Sequence, residues 1–491
     1  MGIYVHIPFC RSKCYYCGFY SVASTQLKKA YIAALGHEIQ LRKDYLGTSE
    51  VKTLYFGGGT PSWLSMDELT DIVTTLEMNF ALNCVAERTI EANPEDITRD
   101  KLKGWRALGF NRLSIGIQSF NDEVLKRINR THTAQDALRS VEWAADSGFE
   151  NIGIDLILGL PGYTRLHLQQ DLEIVNHLPI THLSVYLLSI DSNTVFEKLM
   201  QKGRFQPQTD DELADQYLWV SDYLKSIGFE HYEISNFAKN SKYSLHNTSY
   251  WQQQKYVGFG PAAHSFDLNS RQWNVAHLKS YIDNLANDRL SFEKEILTDK
   301  DKFNEYIMIP TKELSGELYD WLTENYPQLN LNLHISKIYR DARRLFGRGP
   351  LKDHIWFSFQ NELEGRENAP CLWFEVGCEG YSYGFGYWCQ PAAAARFRKY
   401  ADQHPKELEK LARKLDRQQT FFLRGDEYAR PKGHADDALS GWYNRRSFSI
   451  VCDREYDALS YSRDLLDTVK EGYEFLIPYY EYFDKSYRMA D

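Results

Sequence analysis

The sequence predicts an α/β protein. A partial parallel barrel of six strand–helix units, a (βα)6 arrangement, precedes a C-terminal α+β domain. Three observations lead there. Through roughly the first 300 residues, short β-branched or apolar runs alternate with longer amphipathic stretches, the rhythm of βα units. The loops richest in chemically useful side chains each follow one of those runs, and parallel barrels bind ligands at the carboxyl ends of their strands. The last third changes character, with aromatic alternating runs followed by charged helical stretches.

Each element follows from a local signal. The first strand is expected over 3–6 and runs into the loop Cys10-Arg-Ser-Lys-Cys14-Tyr-Tyr-Cys17. An amphipathic helix is expected over 26–42. The second strand, 52–56, is followed by Gly57-Gly58-Gly59-Thr60-Pro61. Glycines there would let backbone amides approach a ligand, and Thr60 adds a hydroxyl. The third strand, 88–91, ends on Glu91-Ala-Asn-Pro94, and the fourth, 112–117, on Gln118-Ser-Phe120, with Arg130 shortly beyond. A helix over 134–147 leads to the fifth strand, 152–158, which carries Asp155 before Gly159-Leu-Pro-Gly162. A helix over 165–177 precedes the sixth strand, 182–187. Any one polar residue at a strand end most simply caps a helix or satisfies a loop. Together they ring one barrel mouth with donors and acceptors suited to an amino acid and a ribose.

The cysteine loop has CxxxCxxC spacing. Three thiolates can hold three irons of a [4Fe-4S] cube and leave the fourth iron open to a second molecule. Spacing alone also admits zinc, which usually takes CxxC pairs and four ligands; only His6 is close enough in sequence to complete such a set. A disulfide plus a spare thiol is the third option. The remaining cysteines, Cys84, Cys371, Cys378, Cys389 and Cys452, match no metal pattern and are expected to be mostly buried thiols.

Composition narrows the function classes. A chain of 491 residues is long for one domain. Its net charge of −10 argues against broad nucleic-acid binding. No apolar run approaches membrane-spanning length and the N-terminus is not a signal peptide, so a cytoplasmic location is expected. The 33 Tyr, 26 Phe and 11 Trp fit either large aromatic cores or a flat apolar ligand, and composition does not choose.

Ordered stretches then point to a family. YVHIPFC, LYFGGGTPSWL, IEANPED, NRLSIGIQSFND, NIGIDLILGLPG, HLSVYLLSI, YEISNFAK, HNTSYW and GFGPAAHSF occur in sequence order. Residues 1 to about 310 resemble the HemW heme-chaperone family, radical S-adenosylmethionine (SAM) proteins related to oxygen-independent coproporphyrinogen III oxidase. The resemblance implies that Cys10, Cys14 and Cys17 ligate the cluster. It also implies that Tyr4, Gly58, Gly59, Thr60, Glu91, Gln118, Arg130 and Asp155 contact SAM, with Tyr16 near the adenine. In the oxidase, SAM cleavage yields a 5′-deoxyadenosyl radical that abstracts hydrogen from a propionate. Two features favour chaperone over oxidase. The oxidase pattern has a further cysteine where this chain has Phe19, and His246-Asn247-Thr-Ser-Tyr250-Trp251 matches the HNxxYW motif linked to heme binding. An imidazole is a good axial ligand for heme iron, and aromatic rings pack on a porphyrin face. The partners implied are heme and heme-acceptor proteins, and a homodimer is left open.

The expected division is a barrel core over 1–235, the rest of the HemW-like region over 236–309, and an α+β domain over 310–491. The last region resembles a bacterial domain family of unknown function through ISKIYRDARRLFGRGPLKDHIWFSF and WFEVGCEGYSYGFGYW. The join has no Gly/Ser or Pro-rich linker. The first part lacks the small helical ending usual in its family, and the second lacks the Asn-Asn…Trp-Phe opening of its own, so a hybrid origin stays open. Helical stretches are expected over 391–416 and 456–475. Arg340, Asp341, Arg343, Arg344, Arg348, Lys352 and His354 form a polar cluster that suits either anion recognition or a structural ion network.

Overall fold

The computed structural model describes residues 1–47, 50–336, 354–361, 369–377, 379–387, 391–430, 432, 437–457, 459, 462 and 464–489. They form two compact units, Met1–Leu297 and Thr298–Asp491. Position 310 lies inside the helix Asp299–Asn325, which belongs to the second unit.

In the first unit the strands are β1 (Gly2–Ile7), β2 (Thr53–Gly58), β3 (Glu87–Ala92), β4 (Arg112–Gln118), β5 (Asn151–Leu158) and β6 (His182–Leu187). They pair in sequence order, all parallel. Between them run α1 (Lys28–Leu41), α2 (Met66–Asn79), α3 (Arg99–Ala107), α4 (Asp122–Arg127), α5 (Ala134–Asp146) and α6 (Arg165–His177). The α/β expectation holds, and the strand and helix positions agree closely with the sequence pattern. Helix starts are set by hydroxyl caps. Ser65, Thr133 and Thr164 each accept from the amide three residues on, and the side chain of that residue bonds back to the cap.

Strand periodicity explains how a core and a site share one sheet. Ile3, Val5 and Ile7 of β1, Leu54 and Phe56 of β2, and Leu113, Ile115 and Ile117 of β4 are fully buried. Alternate positions along the six parallel strands are largely polar: Tyr4, His6, Tyr55, Glu87, Glu91, Ser114, Gln118, Asp155 and Ser184. With a period of two, those residues share the opposite face.

Antiparallel strands extend both edges of this sheet, which the sequence did not suggest. After α7 (Val195–Gln201) and α8 (Asp210–Ser226), β7 (Glu230–His231) and β8 (Asn236–Ala238) add beyond β6. After α9 (Leu245–Trp251), β9 (Tyr256–Phe259) pairs parallel with β1. Then β10 (His264–Phe266), β11 (Ser270–Asn274) and, past α10 (Leu278–Leu285), β12 (Phe292–Ile296) continue antiparallel. A buried ion network fastens this edge to α1. The Glu38 carboxylate accepts from Arg42 at 3.1 Å, Asn274 at 2.7 Å, Tyr281 at 2.6 Å and the Gly260 amide at 2.8 Å.

The second unit is α+β, as expected. It begins with α11 (Asp299–Asn325), and its sheet contains β13 (Leu331–Ile335), β14 (His354–Asn361), β15 (Cys371–Gly377) and β16 (Gly380–Tyr387). After α12 (Pro391–Gln403) and α13 (Pro405–Asp416) come β17 (Phe422–Arg424), α14 (Asp437–Tyr443), β18 (Phe448–Glu455) and α15 (Asp464–Tyr487). The sheet order is β13-β14-β15-β16-β18-β17, with every pair antiparallel. The stretch expected as helix over 391–416 is two helices, because Pro405 starts a new one after His404. The second expected helix begins later, at Asp464, and runs on to Tyr487. Much of the aromatic content lies in this core, where Phe357, Phe385, Tyr387, Tyr473 and Phe483 are fully buried. Cys371 and Cys452 are buried thiols, but Cys84 is exposed, against expectation. Cys378, Cys389, Arg340, Asp341, Arg343, Arg344, Arg348 and Lys352 lie outside the described residues, so of that polar cluster only His354, on β14, is placed.

Candidate functional site

The loop after β1 is tied down by its backbone. Cys10 donates its amide to Val22 O at 3.0 Å, Tyr15 donates to Ile128 O at 3.1 Å, and Cys17 donates to Cys14 O at 3.3 Å. Asn129 holds Lys13 O at 2.9 Å, and Arg11 pairs with buried Asp96 at 2.6 Å. These ties fix the direction in which the thiols point. Cys10, Cys14 and Cys17 are free, partly accessible, and line one cavity of about 380 Å³.

That cavity sits at the carboxyl ends of the strands. Tyr16, Gly58, Gly59, Thr60, Glu91, Gln118, Arg130 and Asp155 also line it, so residues from six separate loops and strands converge there. Tyr4 does not line it. It lies deeper on β1, pairing with His6 Nδ1 at 3.2 Å and stacking on Tyr55 at 6.0 Å.

Two side chains connect the thiols to the strands behind them. Thr60 hydroxyl points at Cys10 Sγ at 3.5 Å, and Arg130 Nη1 at Cys14 Sγ at 3.6 Å. Asn93 bridges the two, donating to Thr60 at 3.2 Å and accepting from Arg130 at 3.0 Å. Sequence reasoning missed Asn93 as a site residue, although IEANPED contains it. Arg130 also donates to Gly116 O, while its Nε is buried without a partner. Gln118 ends β4 in a left-handed conformation, φ 71°, beside a register shift in the β4–β5 pairing. Such backbone is costly and collects where a side chain must be aimed.

The glycine run also makes room for neighbouring protein atoms. A Cβ on Gly57 would lie 2.9 Å from Glu91 Oε1 and from the Tyr55 ring. One on Gly58 would clash with His6 Nδ1, and one on Gly59 would lie 2.7 Å from Ile7 O. The missing side chains therefore admit neighbouring protein atoms. The Gly58 amide donates to Glu91 Oε2 at 3.1 Å, which fixes the carboxylate.

Electrostatically the cavity is poised for a cationic or hydroxyl-rich ligand. Burial lifts Glu91 to about 7, partly offset by the Tyr55 hydroxyl bond at 2.7 Å, with the charge of Asp155 adding to the rise. Burial lifts Asp155 to about 6. Burial also pushes the Cys10 thiol up, and Cys17 to about 11. A metal that takes the thiolate form has to displace these protons, so loading should release them.

Three free thiols lining one cavity suit the cluster that their spacing suggests. Among the described residues no three His, Cys, Asp or Glu side chains converge closely enough for one metal ion. Ligands of a cubane attach to different irons and so stand further apart. His6 is buried, with Nε2 bonded to Tyr20 O at 2.9 Å and Nδ1 to Tyr4, so it does not complete a zinc set.

The HNxxYW segment forms α9 at the opposite end of the strands. Leu245 and His246 donate their amides to buried Glu87, at the start of β3, each at 3.0 Å. His246 is 1% exposed. Its Nδ1 pairs with Thr53 at 2.8 Å and its Nε2 with Tyr250 at 2.9 Å, and burial lowers it to about 3. An axial ligand needs a free ring nitrogen, and here both are engaged. Tyr250 is exposed, while Asn247 and Trp251 are half-buried.

Parallel strands with a three-thiol loop at their carboxyl end define a radical SAM protein, and the family model for the radical SAM superfamily matches residues 4–175. The heme chaperone HemW of Bacillus subtilis strain 168 is 36% identical over 66% of this chain and 86% of the relative. That of Lactococcus lactis is 36% identical over 65% of this chain and 83% of the relative. Coproporphyrinogen III oxidase from Escherichia coli, a radical SAM enzyme, shares the fold with a TM-score of 0.56 and 25% identity, over 67% of this chain and 84% of that one. The chain belongs to the HemW family. A second family model, a conserved hypothetical protein family (DUF2461), matches residues 267–482.

Proposed function

We propose that this protein binds heme and passes it to acceptor proteins while holding an iron–sulfur cluster and SAM at the barrel mouth. The observation that carries this reading is the 36% identity to a curated heme chaperone across 86% of its length. Cys10, Cys14 and Cys17 would hold the cluster, whose open iron would take the amino and carboxylate groups of SAM. Glu91, Gln118 and Asp155 line the same cavity with acceptors for ammonium and ribose hydroxyls. Arg130 and Thr60 direct positive and hydroxyl groups at thiolate sulfur, which stabilises the anionic form.

Heme contact is assigned to α9. Tyr250, Trp251 and Asn247 supply accessible rings and an amide, and His246 supports Tyr250 through its ring nitrogen. Ligation by His246 requires that its bonds to Thr53 and Tyr250 break. His246→Ala with unchanged heme affinity and Soret spectrum would assign it the supporting role alone.

The competing reading is oxidative decarboxylation of coproporphyrinogen III, which the shared fold with the E. coli oxidase supports. Phe19, 70% exposed at the cavity wall, stands against it, because the oxidase pattern has a thiol there. The test is anaerobic reconstitution followed by parallel titration with heme and with coproporphyrinogen III, both with SAM and reductant. A stable Soret shift without decarboxylated product is expected. Turnover of coproporphyrinogen with consumption of SAM would overturn the chaperone reading. Location in the cytoplasm belongs to the same proposal, and a homodimer is left open. Among the described residues no helix is long and apolar enough to cross a membrane.

A further inference from the structure

We infer that His246 is a positioning residue for the SAM pocket, acting through Tyr55 on the Glu91 carboxylate, so that the HNxxYW helix and the barrel mouth are mechanically joined. This rests on the radical SAM reading above and adds a connection between its two sites.

The connection is continuous. Thr53 and Tyr250 hold the His246 ring at both nitrogens, 2.8 and 2.9 Å away. That ring stacks on Tyr55, with centroids 5.0 Å apart and planes 26° from parallel. Tyr4 flanks both rings, at 6.0 Å from Tyr55 and 6.4 Å from His246, so Tyr55 has packed neighbours that fix its plane. The Tyr55 hydroxyl then donates to Glu91 Oε1 at 2.7 Å, and the Gly58 amide holds Oε2. Gly57 leaves room for this approach, since a Cβ there would meet both Glu91 and Tyr55 at 2.9 Å.

Removing the histidine ring frees Tyr55 to tilt, which lengthens its bond to Glu91 and lets the carboxylate turn in the cavity. No heme is needed for this effect. The connection works in either direction, because a coupling between two equilibria is reciprocal.

The test measures SAM binding by equilibrium dialysis to the full chain, reconstituted anaerobically with iron and sulfide. Tyr55→Phe deletes one hydrogen bond to a charged group and is expected to weaken SAM roughly tenfold. His246→Ala is expected to weaken it severalfold and to add little in a Tyr55→Phe background, since both act through one hydroxyl. A merely structural histidine would give losses that multiply. Multiplying losses, or SAM affinity unchanged in a His246→Ala chain with native circular dichroism and iron content, would overturn the inference. His246→Gln, which keeps hydrogen-bonding groups toward Thr53 and Tyr250 but lacks the stacked ring, covers the case in which the alanine variant does not fold. It is expected to weaken SAM too, and wild-type affinity there would also overturn the inference. Failure of the unsubstituted chain to bind SAM would overturn the radical SAM reading together with this one. Failure to bind heme alone would leave the inference standing.

Discussion

Glu91 shows how one buried carboxylate ties stability to binding. The group ordinarily titrates near 4.5, and burial lifts it to about 7. The folded chain therefore holds this proton more tightly than the unfolded chain does. Without ligand, stability falls as pH rises from about 4.5 to about 7 and is flat in this respect beyond. A cationic or hydroxyl-donating ligand prefers the charged carboxylate. SAM affinity is thus expected to rise between about pH 6 and about pH 8, by up to tenfold per unit below the midpoint. Dialysis across that range with wild type and Glu91→Gln checks it, and the variant should show a flattened profile. At this scale the sequence was informative about identity but not about contact. Cys10, Glu91 and Gln118 were readable because each sits at or just past the end of an apolar run, and Asp155 because it is the one charge inside such a run. Asn93 was not, because its value lies in bridging Thr60 and Arg130, residues from two other loops.

Individual strands and loops carry the next consequences. Gly58 has φ +104° and faces His6, whereas Gly47 has φ +63° with open space around it. Gly58→Ala should lower the melting temperature well beyond Gly47→Ala, since both incur about 1–2 kcal/mol of left-handed backbone cost and only Gly58 adds a clash. In α1, Glu38→Gln should destabilise by about 3–5 kcal/mol, because Arg42 keeps a buried charge without its counterion. Denaturant melts of the variants measure both. The parallel strands were visible in the sequence because buried β-branched runs and glycine stops mark them. The edge strands β7, β8 and β10 have two or three residues each, too short for any periodicity to register. The glycine run was visible too, but the packing behind it was not: the atoms near the missing Cβ positions belong to His6, Ile7 and Glu91 on neighbouring strands.

Across the molecule, each unit has its own hydrophobic core, one built mainly on Ile, Leu and Val and the other rich in Tyr and Phe. Separate cores favour separate unfolding. Scanning calorimetry of the full chain should resolve two transitions, and SAM with a loaded cluster should raise only that of residues 1–297. A single transition, or a shift of both, would show that the units unfold together. The change of character in the last third was legible as a change in aromatic content. Its boundary was not, because α11 continues through position 310 with no linker to mark it.

The placement of α9 has a spectroscopic consequence. His246 meets β2 at Thr53, and the cavity begins at Gly58, the other end of the same six-residue strand. At about 3.3 Å per residue, the two ends of that strand, and with them a heme seated on α9 and a cluster at the thiols, would stand roughly 17 Å apart. Two irons so far apart share no bridging ligand. The electron paramagnetic resonance spectrum of the doubly loaded chain, recorded with each iron group in turn in its paramagnetic state, is then expected to match that of the corresponding singly loaded chain. A new signal or broadened lines would place the heme at the barrel mouth.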